Sequence, residues 1–151
     1  FVFFGLVAVV GTTYVQVAGT PASDWLPASV AAAVGIGSIA CAILVANNLR
    51  DIPTDRATGK VTLAVRLGDR GTRRLYAALV AVAAAAVLGT ALVHPTALVA
   101  LLSLAVAWKP LRVVRSGATG RALVPVLAMT GLFEVAYAVL LAAGLAWGAG
   151  S

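Results

Sequence analysis

The stretch PASVAAAVGIGSIACAILVA, residues 27–46, runs without a spacer into NNLRDIPTDRATGK, residues 47–60. An apolar run of that length is what a helix needs to cross a hydrocarbon core of about 30 Å. The polar tail that follows it must then lie where water or a polar cavity can receive it. This junction predicts a membrane-spanning helix with chemistry at one end.

Four more apolar runs flank it: Phe1–Ala18, Leu75–Val93, Thr96–Trp108 and Ala122–Trp147. The run at Thr96–Trp108 is short, and Lys109 and Arg112 extend it by laying their aliphatic stems along the apolar zone. Pro95 disfavours helix at His94, which marks a tight turn between two antiparallel crossings. The expected fold is therefore all-α, a multi-pass transmembrane bundle of five spans. A motif-bearing loop over residues 47–74 joins the second span to the third.

Composition agrees. The chain has 151 residues, 62% hydrophobic and 11% charged, with a net charge of +6, and its mean hydropathy is +1.03. An ordinary soluble domain carries about a quarter charged residues, so disorder and a water-soluble globule are both excluded. Cys41 is the one cysteine and sits in an apolar run, which removes a disulfide framework and a cysteine zinc site. The chain opens on Phe1 within an apolar run, without a basic leader and cleavage site, so no signal peptide is read and upstream sequence is expected.

The basic residues set the orientation. Arg50, Arg56, Lys60, Arg66, Arg70, Arg73 and Arg74 lie between residues 47 and 74, and Lys109, Arg112, Arg115 and Arg121 lie between 109 and 121. Five alternating spans put both segments on one face. Positive charge is retained on the cytoplasmic side, which places the N-terminus inside, the C-terminus outside and the chain in a bacterial inner membrane. Trp25, Trp108 and Trp147 fall at span ends, as interfacial aromatics do.

Asn48, Asp51 and Asp55 are spaced i, i+3, i+7, which puts them on one face if the helix continues past the membrane. Pro53 introduces a kink, Gly59 a stop, and Thr72 an N-cap for the next span. Two carboxylates a turn apart repel and need compensation. Arg50 and Arg56 provide it in a solvated charge cluster; alternatively a divalent cation bridges the acids. Oxygen ligands favour Mg²⁺, which takes one or two carboxylates and completes its shell with water and substrate phosphates. Lys60 and Arg66 lie just downstream, and arginine grips phosphate bidentately.

The run Asn47-Asn48-Leu49-Arg50-Asp51-Ile52-x-x-Asp55-Arg56, followed by Gly59-Lys60-x-Thr62-Leu63-Ala64-Val65-Arg66-Leu67-Gly68, resembles the second aspartate-rich motif of the UbiA superfamily of intramembrane prenyltransferases. It is most similar to the members that act on 1,4-dihydroxy-2-naphthoate in menaquinone biosynthesis. The resemblance implies nine spans in two halves, each with an aspartate-rich motif. The five spans here would be the last five, a C-terminal half that is inactive alone, since no first motif occurs in these residues. It further implies transfer of a polyprenyl group from polyprenyl diphosphate to the naphthoate ring with loss of CO₂, giving demethylmenaquinone. Asp51 and Asp55 would be the catalytic metal ligands for Mg²⁺, supported by Asn48, with Lys60, Arg66 and Arg56 on the diphosphate. The isoprenoid tail would lie against residues such as those of Val30–Val45.

Other acceptors, such as 4-hydroxybenzoate or homogentisate, are alternatives within the same superfamily. Phosphatidyl transfer would need an Asp-Gly-x-x-Ala-Arg core, which this sequence lacks. A non-catalytic transporter or support fragment would place its acids at mid-bilayer, where only Glu134 lies. A protonated Glu134 bonded to a neighbouring helix accounts for that residue as well. Tyr14, Gln16 and Tyr137 read as interhelical hydrogen-bonding groups. Glycines at 5, 11, 35, 37, 89 and 131 read as points of close helix contact.

Overall fold

The computed structural model describes residues 1–149, which are helical with short connections and contain no strand. Helix α1 spans Val2–Gln16, with wide π-type turns over Val2–Val10 and α-helical turns from Gly11. Helix α2 is Ala22–Ala57 and α3 is Leu63–Ala91. A 3₁₀ segment, Pro95–Ser103, leads directly into α4, Leu104–Arg115, and a 3₁₀ turn, Gly120–Leu123, leads into α5, Val124–Ala149. Four of these stretches are long and apolar enough to cross a membrane: Ala22–Ala57, Leu63–Ala91, Pro95–Arg115 and Gly120–Gly148. The protein is thus an all-helical, multi-pass membrane chain. The first run, expected as a crossing over Phe1–Ala18, forms the shorter apolar helix Val2–Gln16.

The largest departure from expectation is in residues 47–74. Most of this segment is helix: residues 47–57 extend α2, and residues 63–74 begin α3. At 1.5 Å per residue, the 36 residues of α2 measure about 54 Å, far more than the hydrocarbon core, so its polar end must project beyond it. Pro27 and Pro53 both lie inside α2 without ending it. The stop comes at Gly59, whose φ of +73° belongs to the left-handed region.

Thr72 is not the N-cap of α3. That position belongs to Thr62, whose hydroxyl accepts from the Val65 N–H at 3.3 Å. The helix then breaks at Gly68, with φ 68° and ψ 178°, a conformation that strongly favours glycine. Thr72 is buried just past the break, where its hydroxyl donates to the carbonyls of Gly68 at 2.8 Å and Ala64 at 3.3 Å. It ties the start of the second part of α3 back to the turn before the break.

Helix α2 is the spine, packed along α3 and also against α1 and α5. Small residues let these helices approach, because lipid offers no hydrophobic drive and contact must come from close packing. A Cβ on Gly5 would lie 2.7 Å from the Ala33 carbonyl, and one on Gly35 would collide with the Tyr137 hydroxyl. Tyr137 instead donates to the Ala83 carbonyl at 3.1 Å, bridging α5 to α3, and Tyr76 pairs with Thr130 at 2.7 Å. Gly11 and Gly131 face open space and make no such contact. Gly35→Ala should therefore destabilise the detergent-solubilised protein by roughly 1–3 kcal/mol through overpacking. Gly131→Ala, which meets open space, should instead raise stability by up to about 1 kcal/mol through helix propensity, both read from thermal unfolding.

Candidate functional site

The polar end of α2 buries Leu49, Ile52 and Asp55 against its neighbours. Asp55 is only 7% exposed. Its carboxylate meets the Lys60 ammonium at 3.4 Å and accepts from the Thr62 hydroxyl at 3.4 Å. Because Lys60 follows the Gly59 turn, its N–H also donates to the Asp55 carbonyl at 2.8 Å. One residue thus receives the chain as it reverses, through both backbone and side chain. The Lys60 side chain is 66% exposed, so its ammonium is held at Asp55 from the solvent side.

Asp51 lies on the flank of the same face and is half-buried. Arg50 grips it with two hydrogen bonds, Nε to Oδ1 at 2.7 Å and Nη2 to Oδ2 at 3.0 Å. The structure brings Asn47 to this acid, its amide donating to Oδ2 at 3.4 Å. Asn48 instead faces α3, beside Leu63, Ala64 and Thr72. The Arg50 hydrogen bonds, aided by the charges of Arg50 and Lys60, hold the Asp51 carboxyl below the usual carboxylate range. Arg56 and Arg66 are exposed, and neither forms an ion pair among the described residues.

Among the described residues there is no group of three or more His, Cys, Asp or Glu side chains that could alone enclose a metal ion. The donor set at the α2 end still fits a hard divalent cation in a more limited way. It offers two carboxylates a turn apart, Asp51 shifted toward the ionised form by Arg50, with the Lys60 ammonium beside Asp55. Such a set needs ligand oxygens to complete the shell, as magnesium–phosphate sites do.

Among the described residues, neither Asp51 nor Asp55 lines the four cavities of about 370 to 460 Å³. One of about 430 Å³ lies at the opposite end of α2, lined by Val9, Ala32, Ile36 and Leu141 along its apolar walls and by Asp24, Trp25 and His94 at its rim. The indole N–H of Trp25 is buried there without a hydrogen-bond partner among the described residues. This cavity was not legible beforehand, because it is formed by α1, α2 and α5 together. Glu134 is half-buried in α5 and makes no hydrogen bond or ion pair among the described residues.

The role of Arg50 can be measured directly. As pH falls, Asp51 should stay ionised below the point at which an unperturbed aspartate protonates. Arg50→Gln should raise its midpoint toward the ordinary value, read from carboxyl ¹³C shifts in aspartate-labelled protein.

Comparison with known proteins bears on the same residues. The family described as the UbiA prenyltransferase family matches residues 1–124. The chain is 48% identical over 148 residues to the 1,4-dihydroxy-2-naphthoate octaprenyltransferase of Mycobacterium tuberculosis, covering 98% of this chain and 49% of that protein. It is 47% identical over 147 residues to the protein of the same name from Mycobacterium leprae, covering 96% and 48%. The corresponding Escherichia coli protein is 46% identical over 78 residues, covering 52% of this chain and 24% of its own length. The chain spans about half the length of the mycobacterial relatives. No solved structure gives a significant match. With most of its length matched and its motif segment inside the matched region, the chain belongs to the UbiA prenyltransferase family.

Proposed function

We propose that this chain takes part in transferring a polyprenyl group from its diphosphate to 1,4-dihydroxy-2-naphthoate, with decarboxylation to demethylmenaquinone. In this reading the chain supplies the second aspartate-rich motif, and its five apolar segments correspond to the last five spans of a nine-span enzyme. The motif lies on the cytoplasmic face of a bacterial inner membrane, with the C-terminus outside.

The observation that carries the reading is a buried carboxylate, Asp55, beside an exposed ammonium, Lys60, at the polar end of a helix whose body is apolar. It stands in a chain 48% identical to a protein named for this acceptor. An amphiphile with a diphosphate head and an oily tail needs that division. The wall of α2 from Ala28 to Ile36 borders the 430 Å³ apolar cavity, and Ile36 is about 22 Å of helix from Asp51. A tail of several isoprene units spans such a distance.

Asp51 and Asp55 would hold the divalent cation, taken as Mg²⁺ from the hardness of these ligands. Bound there, the cation would draw off negative charge as the allylic C–O bond breaks. Lys60 is the group placed to turn from Asp55 toward a phosphate oxygen, and Arg66 and Arg56 have no competing ion pair among the described residues. Each guanidinium can take a phosphate by two parallel hydrogen bonds. Arg50 and Asn47 keep Asp51 ionised and oriented. The apolar body of α2 keeps water from the cationic prenyl group.

The tests use this chain together with any upstream sequence its gene encodes. Asp51→Asn and Asp55→Asn should each lower prenyl transfer by roughly 100-fold or more. Membrane insertion and elution volume should stay unchanged, since an amide preserves size and still accepts from Thr62. Chelating divalent cations should stop turnover and Mg²⁺ should restore it. Turnover within a fewfold of wild type in either variant would contradict the assignment.

A further inference from the structure

Away from the aspartates, α3 and α4 form a cleft of about 460 Å³ lined by Arg70, Arg73, Arg74, Ala77 and Arg115. Arg115 also borders a second groove of about 370 Å³, whose other walls are Trp108, Leu111, Arg112 and Ser116. The two hollows therefore meet at one guanidinium. One is basic; the other has an aromatic and an aliphatic wall.

The cleft is built around Arg73. Its buried guanidinium makes two 2.7 Å hydrogen bonds to Asp69 on α3. It also donates to the Val114 carbonyl and, at 2.8 Å, to the carbonyl of Ala118 in the connection after α4. Val114 lies in the last turn of α4, whose carbonyls lack helical partners, so Arg73 caps α4 and holds the connection beyond it while tying both to α3. Its charge is spent on that task. Arg70, Arg74, Arg112 and Arg115 are exposed and form no ion pair among the described residues. Asp69, the acid beside Arg70, is already gripped by Arg73. Three unpaired guanidiniums, Arg70, Arg74 and Arg115, around a preformed cleft, with Arg112 in the adjoining groove, call for an anion.

We propose that this cleft binds the phosphate of an anionic membrane lipid, with the acyl chains leaving along the Trp108–Leu111 groove. Trp108 is 66% exposed, at the point where the apolar run of α4 gives way to Lys109, Arg112 and Arg115. An exposed indole at that boundary is placed at headgroup level, and Arg112 and Arg115, one and two turns downstream, supply the cations a phosphate needs. A soluble phosphate would use the arginines and leave the aromatic wall idle. Neither Asp51 nor Asp55 lines the cleft, so the site is separate from the proposed metal site.

The test is lipid retention by the protein, with any upstream sequence its gene encodes, purified from micelles containing equal phosphatidylglycerol and phosphatidylcholine. Phosphatidylglycerol should be enriched. Arg74→Gln with Arg115→Gln, which leaves the structural Arg73 in place, should reduce that enrichment by about tenfold. Lys109→Gln with Arg121→Gln removes equal charge outside the cleft and should leave enrichment within about twofold of wild type. Asp55→Asn should leave it unchanged, which separates this site from the proposed catalytic one. Equal retention of the two lipids would overturn the proposal, as would equal loss in both double variants. Displacement of the lipid by excess inorganic diphosphate would also overturn it, by assigning the cleft to a soluble phosphate.

Discussion

A carboxylate cannot be left bare at the edge of a membrane, and in this protein the solution at Asp55 shapes everything around it. The chain leaves α2, turns at Gly59 and comes back so that Lys60 and Thr62 both reach the same side chain. Thr62 has a second task, since its hydroxyl accepts from Val65 and starts α3. The turn, the direction of α3 and the presentation of the acid are therefore one arrangement. A buried acid that has lost its partners costs several kcal/mol. The family motif spans this whole unit, from the asparagines before Arg50 to Gly68.

Hydropathy was enough to read the helices, because in lipid every backbone polar group must be paired within its own segment. The runs at 27–46 and 122–147 each fall inside a long helical stretch, and 75–93 does so up to Ala91. Their ends were harder to read. Charge marks where the membrane stops, and helices do not have to stop there, so α2 and α3 continue through most of what reads as a loop. Thr72 looked like a cap because an apolar run follows it. Thr62 stands before one too, and only the Gly68 break decides between them.

The site was legible in part. The i, i+4 spacing of Asp51 and Asp55 and the nearby cations are on the page of the sequence, whereas their partners depend on rotamer and turn geometry. Asn47 reaches Asp51 while its neighbour Asn48 looks toward α3. The Asp69–Arg73 pair has helical i, i+4 spacing, but the carbonyls that Arg73 also holds are 41 and 45 residues away. The cavities belong to no single segment and could not be seen from one. The resulting distribution of charge is lopsided: acids at the α2 end meet bases one to one, while the α3–α4 cleft has a surplus of cations.

The central claim, that Asp51 and Asp55 together hold a divalent cation against a diphosphate, is tested most directly by electron paramagnetic resonance of Mn²⁺ added with a non-hydrolysable prenyl diphosphate analogue. A protein-bound manganese signal with ³¹P hyperfine coupling is expected, and it should be lost when either aspartate becomes asparagine. Bound manganese coupled to phosphorus in both asparagine variants, at wild-type affinity, would contradict that claim.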